Sequence, residues 1–160
     1  MGITDFKSID WANPEAMISK HFSVHEALYL PSWARQATEA DGLNESVKAE
    51  ISRLALLVDI VCDRLEIKPV VHCWYRPRGY NKEVGGAKNS SHLSEGPWSA
   101  IDFSAAVPGC DSRGKSCDLL RAKILPMLEE LGLRMEKNGK DAPWIHLDSK
   151  PPIFTRYFRP

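Results

Sequence analysis

The longest regular pattern of apolar positions runs through residues 44 to 66, where Val47, Ile51, Leu54, Val58, Val61 and Leu65 recur at intervals of three and four. That spacing lines one face of a helix, and Asn44 stands where its N-cap belongs. Ser23 followed three residues later by Glu26 forms a capping-box pattern with Phe22 as its hydrophobic staple, so another helix starts there. Asn13-Pro14-Glu15 predicts an earlier start, with Pro at the first helical position. W-A-R-Q-A-T-E-A (33 to 40) reads as a short helix, and 118 to 131 as an amphipathic one kinked around Pro126 and closed by Gly132.

Between these lie short runs of strand character. V-V-H-C-W-Y (70 to 75) is β-branched and aromatic, and alternation puts His72, Trp74 and Arg76 on one face and Val71, Cys73 and Tyr75 on the other. S-A-I-D-F-S (99 to 104) is a second strand. L-R-M-E and A-P-W-I-H-L-D read as a hairpin with Asn138-Gly139 at its tip, and F-T-R-Y-F-R-P (154 to 160) as a last strand. The stretches 79 to 91 and 105 to 117 read as loops rich in small residues. Helices before and between a handful of short strands predict an α+β fold with a small, mostly antiparallel sheet. No repeat, low-complexity tract or linker divides the chain, and 160 residues suffice for one domain, 1–160, with its own core.

Composition narrows the function classes. Twenty-one basic residues balance twenty-one acidic ones, which argues against a general nucleic-acid binder or a polybasic membrane-surface protein. No apolar run is long enough to span a membrane. M-G-I-T-D-F-K-S-I-D-W lacks the basic and apolar regions of a secretory signal, and Phe6 stands where a myristoylation motif needs Ser or Thr. The expected location is the cytoplasm, unless a separate device releases the protein.

Candidate chemistry reduces to a few residues. Cys62, Cys73, Cys110 and Cys117 contain no C-x-x-C pair; Cys62 and Cys73 read as buried free thiols, while Cys110 and Cys117 would pair only in an oxidising compartment. His21 and His25 are four apart, but the capping signal at Ser23 breaks the helix between them. His72 shares its parity with Arg76, yet reads as a packed residue. The loop after Arg76 has neither G-x-x-x-x-G-K-[ST] nor G-x-G-x-x-G, so it is not a phosphate cradle. There remain His92, Asp102 and His146, each at or near a short strand. Two imidazoles and a carboxylate can hold a zinc ion and leave a fourth position open, and neighbouring strands are close enough for their side chains to converge.

The string Y-R-P-R-G-Y-N-K-E-V-G-G-A-K-N-S-S-H, then G-P-W-S-A-I-D and later W-I-H-L-D, resembles the zinc D-Ala-D-Ala carboxypeptidase family. That family has the Hedgehog/DD-peptidase fold and includes phage endolysins and other peptidoglycan endopeptidases. Ser90 and His92 match its S-x-H, Ala100 and Asp102 its A-x-D, and His146 its final histidine. F-S-V-H-E-A-L is similar to the segment that begins many phage-type members, so the likeness covers about residues 20 to 150.

The resemblance implies a zinc peptidase acting on the D-amino-acid-containing peptides of peptidoglycan. It makes His92, Asp102 and His146 the zinc ligands and Arg76 the grip on a substrate carboxylate, with Ser90 contacting the substrate or supporting the site. Two features depart from the family pattern. The His92–Asp102 loop is longer than usual, which is expected to reshape the substrate cleft. Position 143, often an acidic general base, is a proline. Glu136 is then the expected base, with Asp141 in reserve and Asp148 a weaker third, placed to support the metal shell. The proline also motivates an alternative: an inactive zinc-binding module of the same fold, serving as a phage structural or wall-binding part.

Overall fold

The structure is a computed structural model that describes residues 5–159; Met1–Thr4, part of the stretch read for an export signal, lie outside it. The chain forms, in order, α1 (Val24–Leu28), β1 (Tyr29–Leu30), β2 (Arg35–Gln36), α2 (Glu45–Leu65), β3 (Val70–Cys73), α3 (Arg78–Glu83), β4 (Ala100–Ser104), α4 (Arg113–Ile124), α5 (Leu128–Leu131), β5 (Arg134–Glu136), β6 (Ile145–Asp148) and β7 (Tyr157–Phe158). The predicted α+β class is what the chain adopts. Five strands lie in the order β3-β4-β6-β5-β7, antiparallel except for the β5–β7 pair, and β1 and β2 form a separate ribbon. No helix among the described residues is long and apolar enough to cross a membrane.

The period of two along the strands divides the main sheet into a core face and a second face. On β4 and β6, Ile101 opposes Leu147 and Phe103 opposes Ile145, and all four are fully buried against the helices. Each such side chain contributes about 1.5–3 kcal/mol by leaving water. The α2 stripe closes over this layer: Val47, Ile51, Leu54, Val58 and Val61 are buried. Asn44 caps the helix by accepting from the Val47 N–H, as expected. The Ser23–Glu26 capping box is complete, and Phe22 sits edge-on to Trp74 with ring centroids 5.1 Å apart.

Several elements differ from the sequence expectation. No helix follows Pro14, because its backbone is committed elsewhere: Val24 N–H donates to the Ala16 carbonyl and His25 N–H to that of Pro14. Residues 33 to 40 form β2 and a one-turn 3-10 helix, since Ala37 N–H bonds the Leu28 carbonyl and Arg35 closes on Asp41. The loop after Arg76 opens with α3, anchored by Tyr80, which packs edge-on against Trp33 at 5.2 Å. Helix α4 starts inside the expected 105–117 loop, because Ser112 accepts from the Lys115 N–H and caps it. The β5–β6 hairpin turns at Gly139–Ala142, with Asp141 in the left-handed region, instead of at Asn138-Gly139. All four cysteines are free, and Cys73 is only half-buried.

Alternation in β3 also fails, for one identifiable reason. Val71 opposes Phe103 and Cys73 opposes Asp102, so His72 is the extra residue of a β-bulge. Its Nε2 meets the Ser104 hydroxyl at 2.7 Å, and the bulge turns Cys73 toward Asp102.

Candidate metal centre

The second face of the sheet carries the polar residues that the strands withhold from the core. Asp102 opposes His146 across β4–β6. On β5, Met135 opposes Leu147, so the next step of the same register brings Glu136 opposite His146. Cys73, Asp102, His146 and Glu136 thus form one row across four strands, with Arg134 and Asp148 in the row beside it.

His92 reaches this row from outside the sheet. It sits in a one-turn 3-10 helix, Ser91–Leu93, and Ser90 caps that turn by accepting from the His92 N–H. The Arg76 N–H donates to the His92 carbonyl at 2.9 Å, which ties the turn to the end of β3. The result is a carboxylate bracketed by two buried imidazoles. Nε2 of His92 is 3.2 Å from Asp102 Oδ2, and Nδ1 of His146 is 2.8 Å from Asp102 Oδ1.

The far nitrogen of each ring has a partner of its own. His92 Nδ1 lies 2.8 Å from the Trp74 carbonyl, which can only accept, so Nδ1 carries the hydrogen. His146 has a carboxylate at each nitrogen, Asp102 at 2.8 Å from Nδ1 and Asp148 at 3.0 Å from Nε2, so the ring donates to both when it is protonated. The nitrogens facing Asp102 are the ones that would be freed to bind an ion once they give up their protons. Asp148 is fully buried and held by two bonds from Arg134, at 2.8 and 2.9 Å. Such outer partners are what orient metal-binding histidines.

Electrostatics point the same way. Burial opposes a charged ring at His92, but Cys73 and Asp102 outweigh it and push the imidazole up to about 10. At His146, burial is again outweighed, here by Asp102 and Asp148, and the shift is upward. Asp102 is itself held below the usual carboxylate range, its burial overcome by the two histidines. A site that draws protons onto two imidazoles around a carboxylate suits a cation.

The donor set fits zinc. Ligand atoms about 2.0–2.1 Å from a tetrahedral ion are about 3.3 Å from one another; the two separations that involve Asp102 are of that order, each through a different carboxylate oxygen. Asp102 is the most exposed of the three side chains at 21%, so the open side of the site is on its flank. Among the described residues, the group that brings one ligand atom each within 4.8 Å of the others is Cys73, His92 and Asp102; His146 meets Asp102 but falls outside that group. The Cys73 sulfur, however, lies 3.8 Å from His92 Nδ1, the nitrogen already bonded to Trp74.

The other expected site residues fall at different distances from this centre. Arg76 donates from Nη2 to the Ser90 hydroxyl at 3.1 Å, and its Nε is buried without a hydrogen-bond partner. Glu136 shares the face and neighbouring strand of His146, and accepts from the Asn138 amide at 3.2 Å. Asp141 is exposed in the turn; its N–H donates to Asp118 on α4, and its carboxylate makes no hydrogen bond to His92, Asp102 or His146. Pro143 is exposed. His21 instead meets Asp63 at 2.8 Å, and His25 stacks on Tyr29 at 4.7 Å. The sequence reading missed Arg134 and the facing of Cys73. Arg134 was legible in principle, because the hairpin register sets it opposite Asp148; the bulge that turns Cys73 has no such signal.

A family model described as Peptidase M15 matches residues 21–148, a span that includes every residue of this centre. No curated protein and no solved structure matches the chain.

Proposed function

Because the chain belongs to the Peptidase M15 family, whose members are metallopeptidases, we propose that it is a zinc peptidase that cuts the D-amino-acid-containing stem or cross-link peptides of bacterial peptidoglycan. The observation that carries the reading is the Asp102 carboxylate set between His92 and His146, with the outer nitrogen of each ring already satisfied. His92, Asp102 and His146 are the residues that would hold the ion. A bound zinc would supply the Lewis acidity that makes water nucleophilic near neutral pH and polarises a peptide carbonyl.

The protein's own groups do the rest. Glu136, one strand from His146 on the same face, accepts the proton of the attacking water and returns it to the leaving amine. Arg76 grips a substrate carboxylate, its guanidinium fork steadied by Ser90. Asp148 orients the His146 ring through Nε2, and Arg134 keeps Asp148 ionised.

Pro143 favours a second reading, a zinc-binding module of the same fold that does not turn over. Digestion of defined muropeptides, with product masses read out, separates the two. New amine termini that vanish with a chelator are the expected result. Intact muropeptides in the presence of a full equivalent of zinc would leave the binding module.

A further inference from the structure

Beside the centre lies a cleft of about 260 Å³, and its walls come from the flanks of all three ligand-bearing segments. Ser90 and Leu93 bracket His92, Trp98 precedes β4, and Lys150 follows β6. Its far rim is Arg78, paired through two contacts to Glu95. The long His92–Asp102 loop thus has a structural consequence: it delivers Trp98 and Glu95 to this cleft.

The cleft is charged and preformed. Arg78 and Glu95 cancel, whereas Lys88 and Lys150, which also line it, have no carboxylate partner among the described residues. Lys150 Nζ lies over the Trp98 ring, 4.9 Å from its centroid. The indole is pressed against Gly96 so closely that a Cβ there would overlap the ring. The Lys150 backbone is fixed by donating to Asp148 at 3.0 Å. Two ammonium groups without a carboxylate partner, lining one cleft, suit a carboxylate.

We propose that this cleft is a substrate subsite for a second carboxylate of the peptide, distinct from the one gripped by Arg76. Lys150 and Lys88 meet the anion, and Trp98, wedged against Gly96, holds the Lys150 ammonium in the cleft. The inference rests on the peptidase reading above and narrows its substrate class to acidic peptides, such as stems whose isoglutamyl α-carboxyl is free.

The test uses two synthetic peptides, acetyl-L-Ala-D-isoglutamyl-L-Lys-D-Ala-D-Ala with that carboxyl free or amidated. Two ion pairs at a half-open site are expected to favour the free acid by about fivefold in kcat/KM. The same preference is expected in Kd, read by calorimetry at 4 °C before turnover is measurable. In the Lys88→Gln/Lys150→Gln protein the preference should fall to parity, with the thermal midpoint retained as a check on folding. Equal binding of the two peptides by the wild type, or a preference that survives the double substitution, overturns the subsite. Failure to hydrolyse either peptide while the acid still binds better counts against the peptidase reading alone.

Discussion

Arg134 and Asp148 face each other across β5 and β6, and the guanidinium donates to both carboxylate oxygens, at 2.8 and 2.9 Å. Asp148 is fully buried, and its remaining acceptor capacity goes to His146 and the Lys150 N–H. Removing the guanidinium strands a buried charge. Arg134→Met is therefore expected to cost about 3–5 kcal/mol of stability, read as a lower urea midpoint. Asp148→Asn, which keeps the shape but loses the charge that orients His146, is expected to weaken metal binding about 10–100-fold, measured by competition with a chromophoric chelator.

Glu136 and Asp141 are separated by their positions. Glu136 lies in the row of Asp102 and His146, while Asp141 is tied by its backbone to α4. Glu136→Gln should lower kcat by about 10²–10⁴-fold with metal content unchanged. Asp141→Asn should leave kcat within about twofold, as a surface substitution away from the reacting atoms does. The opposite ranking would move the base to the turn.

Arg76 is expected to act on binding. A charge-assisted hydrogen bond is worth about 1.5–3 kcal/mol, so Arg76→Ala should lower kcat/KM about 10–100-fold on a peptide with a free C-terminal carboxylate. The loss should be much smaller on the corresponding carboxamide. Arg76→Lys should recover little, because a point charge cannot reproduce the fork.

The upward shifts of His92 and His146 give metal binding a pH dependence of definite sign. The metal-free folded protein holds protons on imidazoles that must be neutral to donate to an ion. Metal binding should thus release protons, and apparent affinity should rise with pH from 5.5 to 8. In the metal-free protein, the stability that raised His92 contributes is fully present below its ordinary value of 6.5 and is lost as pH climbs toward about 10. Calorimetry in buffers of different ionisation enthalpy measures the proton count.

Much of this arrangement is legible in the sequence because it depends on local spacing. The α2 stripe, the Ser23–Glu26 cap and the i, i+2 relation of His146 and Asp148 each follow from one short segment. What was not legible depends on partners distant in the chain. Helix propensity after Pro14 loses to backbone pairing with residues 22 to 25. The face of Cys73 is set by a bulge against β4, and no feature of V-V-H-C marks where a register will slip. The two histidine rings are oriented by Trp74 and Asp148, and the Trp74 carbonyl leaves no sequence signal at all.

The central claim is that His92, Asp102 and His146 together hold one zinc ion, with Cys73 outside the set. Elemental analysis of the purified wild type and of His92→Ala, Asp102→Ala, His146→Ala and Cys73→Ser tests it most directly. The account predicts close to one equivalent of zinc in the wild type and in Cys73→Ser, and loss of bound zinc in the other three. A full equivalent retained by His92→Ala or His146→Ala, or zinc lost from Cys73→Ser, would contradict it.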